Sequence, residues 1–361
     1  TAAVEGGITD NVPRLDYHNP NSPNPNSCPA LLLEPQRRNS VFYSEYFGAW
    51  DVIGGSVTIT NNNAASPEGV QNAALATGNG AQKYVLFRDN IAVPSAGDYV
   101  MSAFFKYTNN QWIYMSATNF DGGGGAYFDI QNGVVGQEGT PNTASVEDYG
   151  NGWYRCSVKM SIGASDISGR FTVYVARTNG TTDHSTTAAA NGKSVNVWGA
   201  SIENGSYLTS YIPCMSTSVT RNGEQSLTTL PVSTGSGWSV IMDWTDANFQ
   251  LSGYGNALFR MEMEDSGDVF ALLGQGYTGQ NRTRAYYNGY FGSLIDFPLG
   301  EAKVGFTADG STIKTFVNGS LYNTNTIAHD TDFDYIRLNA DAGTNAYNKL
   351  LLFQSKLTDQ E

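Results

Sequence analysis

Two clusters of aromatic and polar residues in this sequence have the composition of a sugar-binding surface. The first contains Trp112, Tyr114 and Tyr127, and polar residues precede it at positions 109–111. The second contains Arg282, Arg284, Tyr286, Tyr287 and Tyr290. Aromatic rings stack on the apolar faces of pyranoses, while Asn, Asp and Arg side chains hydrogen-bond the hydroxyl groups. Both clusters therefore predict glycan contacts, and the open alternative is that these aromatics pack within a sheet or against another subunit.

The sequence patterns that would indicate catalysis are less specific than these two aromatic clusters. Glu262 and Glu264 would share one face of a strand, as paired carboxyl groups of glycoside hydrolases can, but a polar turn follows them at 265–268. The three histidines lie in polar loops, where surface positions are expected, and no nucleophile elbow or Cys-His arrangement is apparent. We therefore predict that the chain is not an enzyme, and a glycan-cleaving hydrolase is the open alternative.

Metal-binding patterns are also incomplete. The acidic residues that alternate like calcium ligands, or could join them, are Asp330, Asp332, Asp334, Asp309 and Asp341. The glycine and the terminal glutamate of an EF-hand loop are missing, and the three cysteines match no zinc spacing. We expect no metal and no other cofactor, with calcium as the alternative, and we expect the cysteines to be buried or incidental thiols.

The overall charge limits the classes of partner. The formal net charge is −13, whereas nucleic acids and anionic membranes are bound through clustered Lys and Arg. No apolar run approaches the roughly 18 residues of a membrane span, and the amino terminus lacks the basic and apolar regions of a signal peptide. We therefore expect neither nucleic-acid binding nor membrane insertion, and synthesis in the cytoplasm.

The pattern of the whole chain predicts an all-β protein. Gly (40), Tyr (21) and Phe (17), with abundant Asn, Ser and Thr, favour short strands joined by tight turns. Half of the prolines fall within residues 1–38, which predicts an extended arm that packs along its own domain or a neighbouring subunit. A length of 361 residues exceeds what one core usually supports, so two further domains are expected.

The two expected domains are tandem antiparallel β-sandwiches. Residues 39–221 contain eight strand-like segments, and several are separated by the turn dipeptides Asn132-Gly133, Asn151-Gly152 and Asn179-Gly180. This pattern predicts a jelly roll of the kind found in carbohydrate-binding modules. A second series of strand-like segments over residues 222–361 predicts the other sandwich.

Three separated motifs in the first region carry a resemblance to one protein family. They are Pro29-Ala30-Leu31-Leu32-Leu33-Glu34-Pro35-Gln36-Arg37-Arg38-Asn39, Asn151-Gly152-Trp153-Tyr154-Arg155-Cys156 and Thr209-Ser210-Tyr211-Ile212-Pro213. With further matches between them, the resemblance covers residues 13–221. In order and spacing, these motifs resemble the head-spike or head-fibre proteins of tailed bacteriophages. Trp153 and Trp198, which belong to the matched segments, are expected to be core anchors.

A second resemblance covers residues 225–361. The stretch Gly305-Phe306-Thr307-Ala308-Asp309-Gly310, followed by Phe316-Val317-Asn318-Gly319, resembles laminin-G and concanavalin A-like lectin domains. Together the two resemblances imply a virion structural protein, a head or tail fibre or spike module on the particle surface. They also imply a homotrimer that contacts other virion proteins and host surface polysaccharide. The alternatives are a tailspike-type depolymerase and a carbohydrate-binding module from a larger enzyme.

Overall fold

The computed structural model describes residues 14–16, 30–80, 83–139, 143–184, 191–229, 237–248, 253–262, 269–277, 280–287, 290–291, 295–297, 300–328, 333–339, 344–353 and 356–357. Within these ranges the helical elements are two 3-10 turns, Phe47–Ala49 and Ile53–Gly55, and all other regular structure is β-strand. No helix in the described ranges is long and apolar enough to cross a membrane. The all-β prediction is confirmed.

The strands are numbered in chain order. The amino-terminal strands are β1 (Arg14–Asp16) and β2 (Ala30–Leu33). The next strands are β3 (Arg37–Asn39), β4 (Asp51–Val52), β5 (Val57–Ala64), β6 (Ala73–Gly78), β7 (Tyr84–Ala92), β8 (Gly97–Tyr107), β9 (Trp112–Thr118), β10 (Gly125–Asp129), β11 (Val134–Glu138), β12 (Thr143–Asp148), β13 (Trp153–Ile162), β14 (Ser168–Ala176), β15 (Ser194–Asn204) and β16 (Val219–Arg221). The remaining strands are β17 (Gln225–Thr229), β18 (Trp238–Asn248), β19 (Gly253–Glu262), β20 (Val269–Tyr277), β21 (Gln280–Tyr287), β22 (Tyr290–Phe291), β23 (Ile295–Phe297), β24 (Gly300–Ala308), β25 (Thr312–Val317), β26 (Ser320–Thr326), β27 (Tyr335–Asn339) and β28 (Thr344–Phe353).

These strands belong to two compact units. Unit 1 contains Arg37–Arg221, and unit 2 contains Asn222–Glu361 together with the amino-terminal segment that includes β1 and β2. The predicted boundary near residue 221 coincides with the end of unit 1. Within each unit, two antiparallel sheets enclose a separate hydrophobic core. The prediction of two antiparallel β-sandwiches is therefore confirmed.

Unit 1 is built from a six-stranded and an eight-stranded sheet. The smaller sheet has the order β11-β10-β9-β14-β7-β4. The larger sheet follows β12-β13-β8-β15-β3-β16, and β6 joins it by pairing with β15 and β5. Apolar residues at alternate positions, such as Met101, Ala103 and Phe105 of β8, point into the shared core because strand side chains alternate between faces. Asn151 and Gly152 both adopt the positive φ that a tight hairpin between β12 and β13 requires.

Unit 2 contains two seven-stranded sheets. One has the order β1-β2-β28-β18-β24-β25-β26. The other follows β17-β27-β19-β20-β21-β22, with β23 paired to β21. The core between them includes Trp238, Phe259, Phe270, Phe306 and Phe333.

The extended arm predicted over residues 1–38 forms short strands where the structure describes it, and two of them belong to a sheet of unit 2. β2 pairs with β28, and Leu31 lies opposite Tyr347. Leu33 is 5% exposed and packs in the core of unit 2. The physical reason is that Ala30–Leu33 is an apolar run without proline, so every amide can join a ladder and the side chains gain by burial.

Asn39, from the first sequence motif, lies where separate segments of unit 1 meet. Its fully buried side chain donates from Nδ2 to the carbonyl oxygens of Ala200 at 3.1 Å and Ile212 at 2.8 Å. Its Oδ1 accepts from the backbone amides of Val41 at 3.0 Å and Ile202 at 3.2 Å. These two donated and two accepted hydrogen bonds use every donor and acceptor position of the side-chain amide. Asn39 therefore ties β3 to β15 and to the segment around Ile212.

Arg155, from the second motif, forms a buried ion pair with Glu203. Their side chains are 2% and 1% exposed, and Arg155 Nη2 lies 3.6 Å from Glu203 Oε1. Arg155 also donates to the Thr209 carbonyl at 2.7 Å and to Ser102 Oγ at 3.3 Å. The Thr209 hydroxyl donates to Glu203 Oε2 at 2.5 Å. Burial raises the pKa of Glu203, and the neighbouring Arg155 opposes that rise.

The two motif tryptophans are core anchors, as predicted. Trp153 is 2% exposed and Trp198 is 1% exposed, and both pack with Phe104 in a small cluster beside the main core. The ring of Tyr211, from the third motif, lies 4.7 Å from that of Trp198. Residues of all three motifs thus meet in unit 1, where they join distant segments through packing and hydrogen bonds.

Candidate functional site

The strands β10, β9 and β14 place three tyrosines on one face of the six-stranded sheet. Ile113 and Met115 of β9 point into the core, so alternation puts Tyr114 on the opposite, outer face. The same reasoning applies to Tyr127, which precedes core residue Phe128, and to Tyr174, which lies between core residues of β14. The three tyrosines are half-buried.

Cross-strand register aligns these side chains into a tyrosine row, Tyr127, Tyr114 and Tyr174. Tyr114 lies opposite Tyr127 on one side and opposite Tyr174 on the other. The ring centroids of Tyr114 and Tyr127 are 4.5 Å apart at 36°, and those of Tyr114 and Tyr174 are 5.7 Å apart at 50°. The ring of Tyr114 is therefore flanked by the rings of both neighbours.

Burial changes the acid–base behaviour of the tyrosine row. Desolvation raises the pKa of Tyr114, and the neighbouring Tyr174 adds to the rise. Desolvation likewise raises the pKa of Tyr127 and of Tyr174. All three phenols therefore stay uncharged beyond their ordinary range. Each can donate or accept a hydrogen bond there.

Small and hydroxyl-bearing residues lie beside the row on the same face. Ser116 pairs with Thr172, and the hydroxyl oxygens of Thr172 and Thr118 are 3.2 Å apart. Gly125 pairs with Ser116 from the other side. A Cβ at Gly125 would lie 2.5 Å from the Met115 carbonyl oxygen and 2.8 Å from the Tyr114 hydroxyl oxygen. Glycine is therefore needed there for the Tyr114 ring to hold its position.

A charged group adjoins these residues at β7. Phe87 pairs with Thr172, and the Arg170 guanidinium carbon lies 4.2 Å from the centroid of the Phe87 ring. Arg170 Nη2 donates to Asp89 Oδ2 at 2.7 Å. That hydrogen bond holds the pKa of Asp89 below its usual value. The corner formed by Phe87, Arg170 and Asp89 combines an aromatic ring with an ion pair that can donate and accept hydrogen bonds.

The structure brings the first predicted cluster together and adds a residue to it. Trp112 lies on the same face as Tyr114, two residues earlier on β9, where it pairs with Asp129 and Ala176. Tyr174 was missed, because its place beside Tyr114 depends on the register of β14 with β9. The only signal available from the sequence was a tyrosine at an alternate position of a predicted strand.

The second predicted cluster is not one exposed surface. Tyr287 is 8% exposed and packs in the core of unit 2, so the expectation that it contacts a glycan is wrong. The reason is alternation along β21, which sends successive side chains to opposite faces. Tyr286 is half-buried. The side chains of Arg282, Arg284 and Tyr290 lie outside the described residues.

The carboxylate considered for catalysis is held by arginines. Glu262 Oε2 accepts from Arg337 Nη2 at 3.2 Å, and Arg260 Nη1 lies 3.7 Å from Glu262 Oε1. Glu264 lies outside the described residues. Glu262 therefore takes part in a local ion-pair network on neighbouring strands.

His184 is buried, contrary to the expectation of a surface loop histidine. It is 2% exposed, its ring stacks on Tyr84 with centroids 4.3 Å apart, and its Nε2 lies 2.9 Å from the Val175 carbonyl oxygen. The isolated bridge between Lys83 and Asp183 brings this loop onto the sheet. Packing against Tyr84 thus overrides the polar composition of the loop.

The buried position of His184 predicts a pH-dependent loss of stability. Desolvation lowers the pKa of His184, so the unfolded chain binds this proton more readily than the folded chain. The contribution is present above about pH 6.5, the unfolded value, and is lost as the pH falls towards the folded value. Thermal unfolding of the wild type and His184→Gln across this range should show a steeper acid decline in the wild type. An NMR titration placing the His184 pKa above its ordinary value would contradict the prediction.

The described residues contain no metal-binding cluster of three or more His, Cys, Asp or Glu side chains. Of the aspartates considered for calcium, Asp309 accepts from Lys356 Nζ at 2.6 Å and from the backbone amide of Thr312 at 2.7 Å. Its carboxylate thus fixes the turn between β24 and β25, and the bond from Lys356 holds its pKa well below the usual range. Asp330, Asp332 and Asp341 lie outside the described residues.

Comparisons with known proteins give distant likenesses. No family model matches the sequence, and no curated protein matches it. Sheep galectin-11 in complex with glycerol aligns at 13% identity over 37% of this chain and 100% of its own, with a TM-score of 0.24. The carbohydrate-binding module CBM66 from Bacillus subtilis aligns at 13% identity over 37% and 84%, with a TM-score of 0.27. The NanB sialidase from Streptococcus pneumoniae aligns at 16% identity over 35% and 23%, with a TM-score of 0.26. Each likeness spans about a third of this chain at a low TM-score, so none assigns it a ligand.

Proposed function

We propose that unit 1 is a glycan-binding module and that the tyrosine row is its binding face. The observation that carries the proposal is the alignment of Tyr127, Tyr114 and Tyr174 on the outer face of the sheet. Half-buried rings in fixed positions lose little conformational freedom when they take up a ligand, and their faces suit the apolar sides of pyranoses. Neutral phenol groups add hydrogen bonds to sugar hydroxyls.

The residues around the row suit an extended sugar chain. Gly125, Ser116 and Thr172 beside the rings are small and buried, so the ligand contacts come from the rings and from groups at the border. Ion-paired Arg170 and Asp89 stand at the border of this area. A ligand chain lying across the strands would therefore meet the tyrosine rings and, at the border, the Arg170 and Asp89 pair.

Replacement of the end tyrosines tests the proposal. Tyr127→Ala and Tyr174→Ala should each weaken binding to a glycan identified on an array by about 10-fold, since an aromatic contact contributes up to about 1.5 kcal/mol beyond the area that it buries and about 1.4 kcal/mol is tenfold in affinity. Tyr114→Phe should weaken binding less, because the flanked ring stays in place and only its hydroxyl is lost. Calorimetric titration measures all three effects.

A matched control separates this binding face from general damage. Tyr107 is 38% exposed and lies on β8 in the other sheet of unit 1, so Tyr107→Ala should leave glycan affinity unchanged. Equal losses in all the alanine variants would show that the row has no special role. Dissociation of an oligomer by Tyr127→Ala or Tyr174→Ala, without loss of glycan affinity, would instead identify the row as a subunit contact.

We also propose that this module belongs to a head or tail fibre or spike on the surface of a tailed bacteriophage particle. The support is the motif resemblance over residues 13–221, together with the meeting of residues from all three motifs in unit 1. In this setting the glycan would be host surface polysaccharide. Cryo-electron microscopy of purified particles tests the proposal, and absence of the chain from particles would leave a free binding module.

The proposed assembly is a homotrimer. Its structural support is the sheet edge at β26, where Leu321 is 50% exposed and Tyr322 is 46% exposed. Proteins usually cover or charge such edges, and closed assembly is one way to cover them. Light scattering after size-exclusion chromatography should give three times the chain mass, and a monomer at high concentration would refute this assembly.

A further inference from the structure

The charge arrangement around the tyrosine row bears on which glycans it can accept. The charged side chains on the outer face of β10, β9, β14 and β7 include Asp129, Arg170 and Asp89, and exposed Asp51 of the adjoining strand β4 lies opposite Phe87. Asp129 is 6% exposed and accepts hydrogen bonds from Gln111 and Asn132. Arg170 and Asp89 are 29% and 35% exposed and lie 2.7 Å apart. The Arg170 guanidinium, which stacks on Phe87, is therefore already compensated.

The pairing of the Arg170 charge with Asp89 matters because acidic and neutral sugars are bound by different side-chain groups. A uronate or sialate carboxylate is bound best by a guanidinium that can turn both of its donor edges to the ligand. Here one terminal nitrogen of Arg170 donates to Asp89, and the guanidinium stacks on Phe87. An approaching carboxylate would meet the Asp89 carboxylate at the same place, and like charges at short distance repel.

An uncharged sugar meets no such obstacle. Its hydroxyl groups can donate to the oxygens of Asp89 and accept from the remaining N–H groups of Arg170. These hydrogen bonds are charge-assisted, so they are stronger than hydrogen bonds between neutral groups. We infer that the tyrosine row and the Phe87, Arg170 and Asp89 corner select uncharged glycans, with Asp89 excluding acidic ones. This inference rests on the proposed glycan-binding function and names the substrate class of the same face.

The first test is a titration of the whole chain with two sets of polysaccharides. The neutral set contains mannan, galactan and linear β-glucan, and the acidic set contains polygalacturonate, alginate, hyaluronan and polysialic acid. Binding is measured at about 0.01 M and about 1 M NaCl, between which the Debye length falls from about 30 Å to about 3 Å. We expect binding within the neutral set, with less than about a 2-fold change with salt, since no net charge is neutralised.

The second test is Asp89→Asn, which removes the carboxylate that accepts a hydrogen bond from Arg170. This variant should lose about 10-fold in affinity for the neutral glycan, because a charge-assisted hydrogen bond becomes a neutral one. It should also gain binding to members of the acidic set that weakens as salt is added. Asp98→Asn is the matched control, because Asp98 pairs with Lys159 at 3.5 Å on the other sheet. The control should behave like the wild type.

The possible outcomes distinguish failure of this inference from failure of the proposed glycan-binding function. Tighter, salt-sensitive binding of an acidic glycan by the wild type would overturn the inference and keep the glycan-binding function. Binding of neither set, nor of any glycan on an array, would overturn both. If Asp89→Asn does not fold, as judged by circular dichroism, the salt dependence of the wild type still decides the question.

Discussion

Arg155→Met should lower the free energy of unfolding of unit 1 by about 3–5 kcal/mol, the usual cost of leaving one partner of a buried ion pair alone. The variant fills much of the same volume but leaves the Glu203 carboxylate, 1% exposed, without its cation. It also removes the donors to the Thr209 carbonyl and to Ser102. Chemical denaturation followed by tryptophan fluorescence measures the loss, because Trp153 and Trp198 lie in the same unit.

The pH dependence of this variant gives an independent check. Burial already raises the pKa of Glu203 above its ordinary value, and loss of Arg155 removes an opposing influence. A carboxyl group with a raised folded pKa favours folding at low pH and loses that contribution as the pH rises through the folded value. The deficit of Arg155→Met should therefore shrink when the pH is lowered from 7 towards the ordinary Glu range.

Two further variants control for the ion-pair argument. Lys159 lies on β13 with Arg155, and Lys159→Met breaks an exposed pair with Asp98 of β8, where the side chains are 40% and 44% exposed. Exposed pairs contribute about 0–1 kcal/mol, so its effect should be small. The double variant Arg155→Met with Glu203→Leu removes both charges and should recover part of the loss. A loss as small as that of Lys159→Met would contradict the assignment of a buried pair.

Asn39→Asp should be at least as damaging, although it changes only one group of the side chain. Replacement of Nδ2 by oxygen removes the donors to the Ala200 and Ile212 carbonyls, at about 1–3 kcal/mol for each acceptor left unsatisfied. It also places a carboxylate in a fully buried site. Because small domains are stable by only about 5–15 kcal/mol, we expect unit 1 to be largely unfolded or insoluble at neutral pH.

The Asn39→Asp result is checked by soluble yield and by circular dichroism at two pH values. At acid pH the introduced carboxyl group can be protonated and can donate one hydrogen bond, so partial recovery is expected there. Asn62→Asp is the matched control, because Asn62 is exposed with φ of 53°, a conformation that Asp also tolerates. If Asn39→Asp folds as well as Asn62→Asp, the hydrogen bonds of Asn39 are not essential.

Much of the strand pattern could be predicted from the sequence because it is local. The segments later found as β8, β9 and β13 combine alternation with apolar runs at strand length, and turns such as Asn151-Gly152 separate strands. Polar edge strands were missed, including β11, β12 and β26. An edge strand takes its hydrogen bonds from one neighbour and needs few core residues, so its sequence carries little of this pattern.

The candidate site could be predicted only in part because register is a long-range property. Tyr114 and Tyr127 were identified as aromatic neighbours of polar residues, but Tyr174 joins them only when β14 pairs with β9. Tyr287 was assigned to a surface, yet the face on which it lies depends on which side of β21 meets the core. Asn39 was visible within a motif, whereas three of its four hydrogen bonds connect segments about 160 to 170 residues apart.

The pairing of β2 with β28 also sets an order of events during synthesis. Leu31 leaves the ribosome early, but its partner Tyr347 is made only after all of unit 1. Domains generally fold as they emerge, so unit 1 can complete its sandwich while β2 still lacks its later neighbour. During that interval the apolar run Leu31–Leu33 stays available to other chains, including a β28 from a second copy. The topology of unit 2 thus links the timing of translation to the choice between pairing within a chain and exchange between chains.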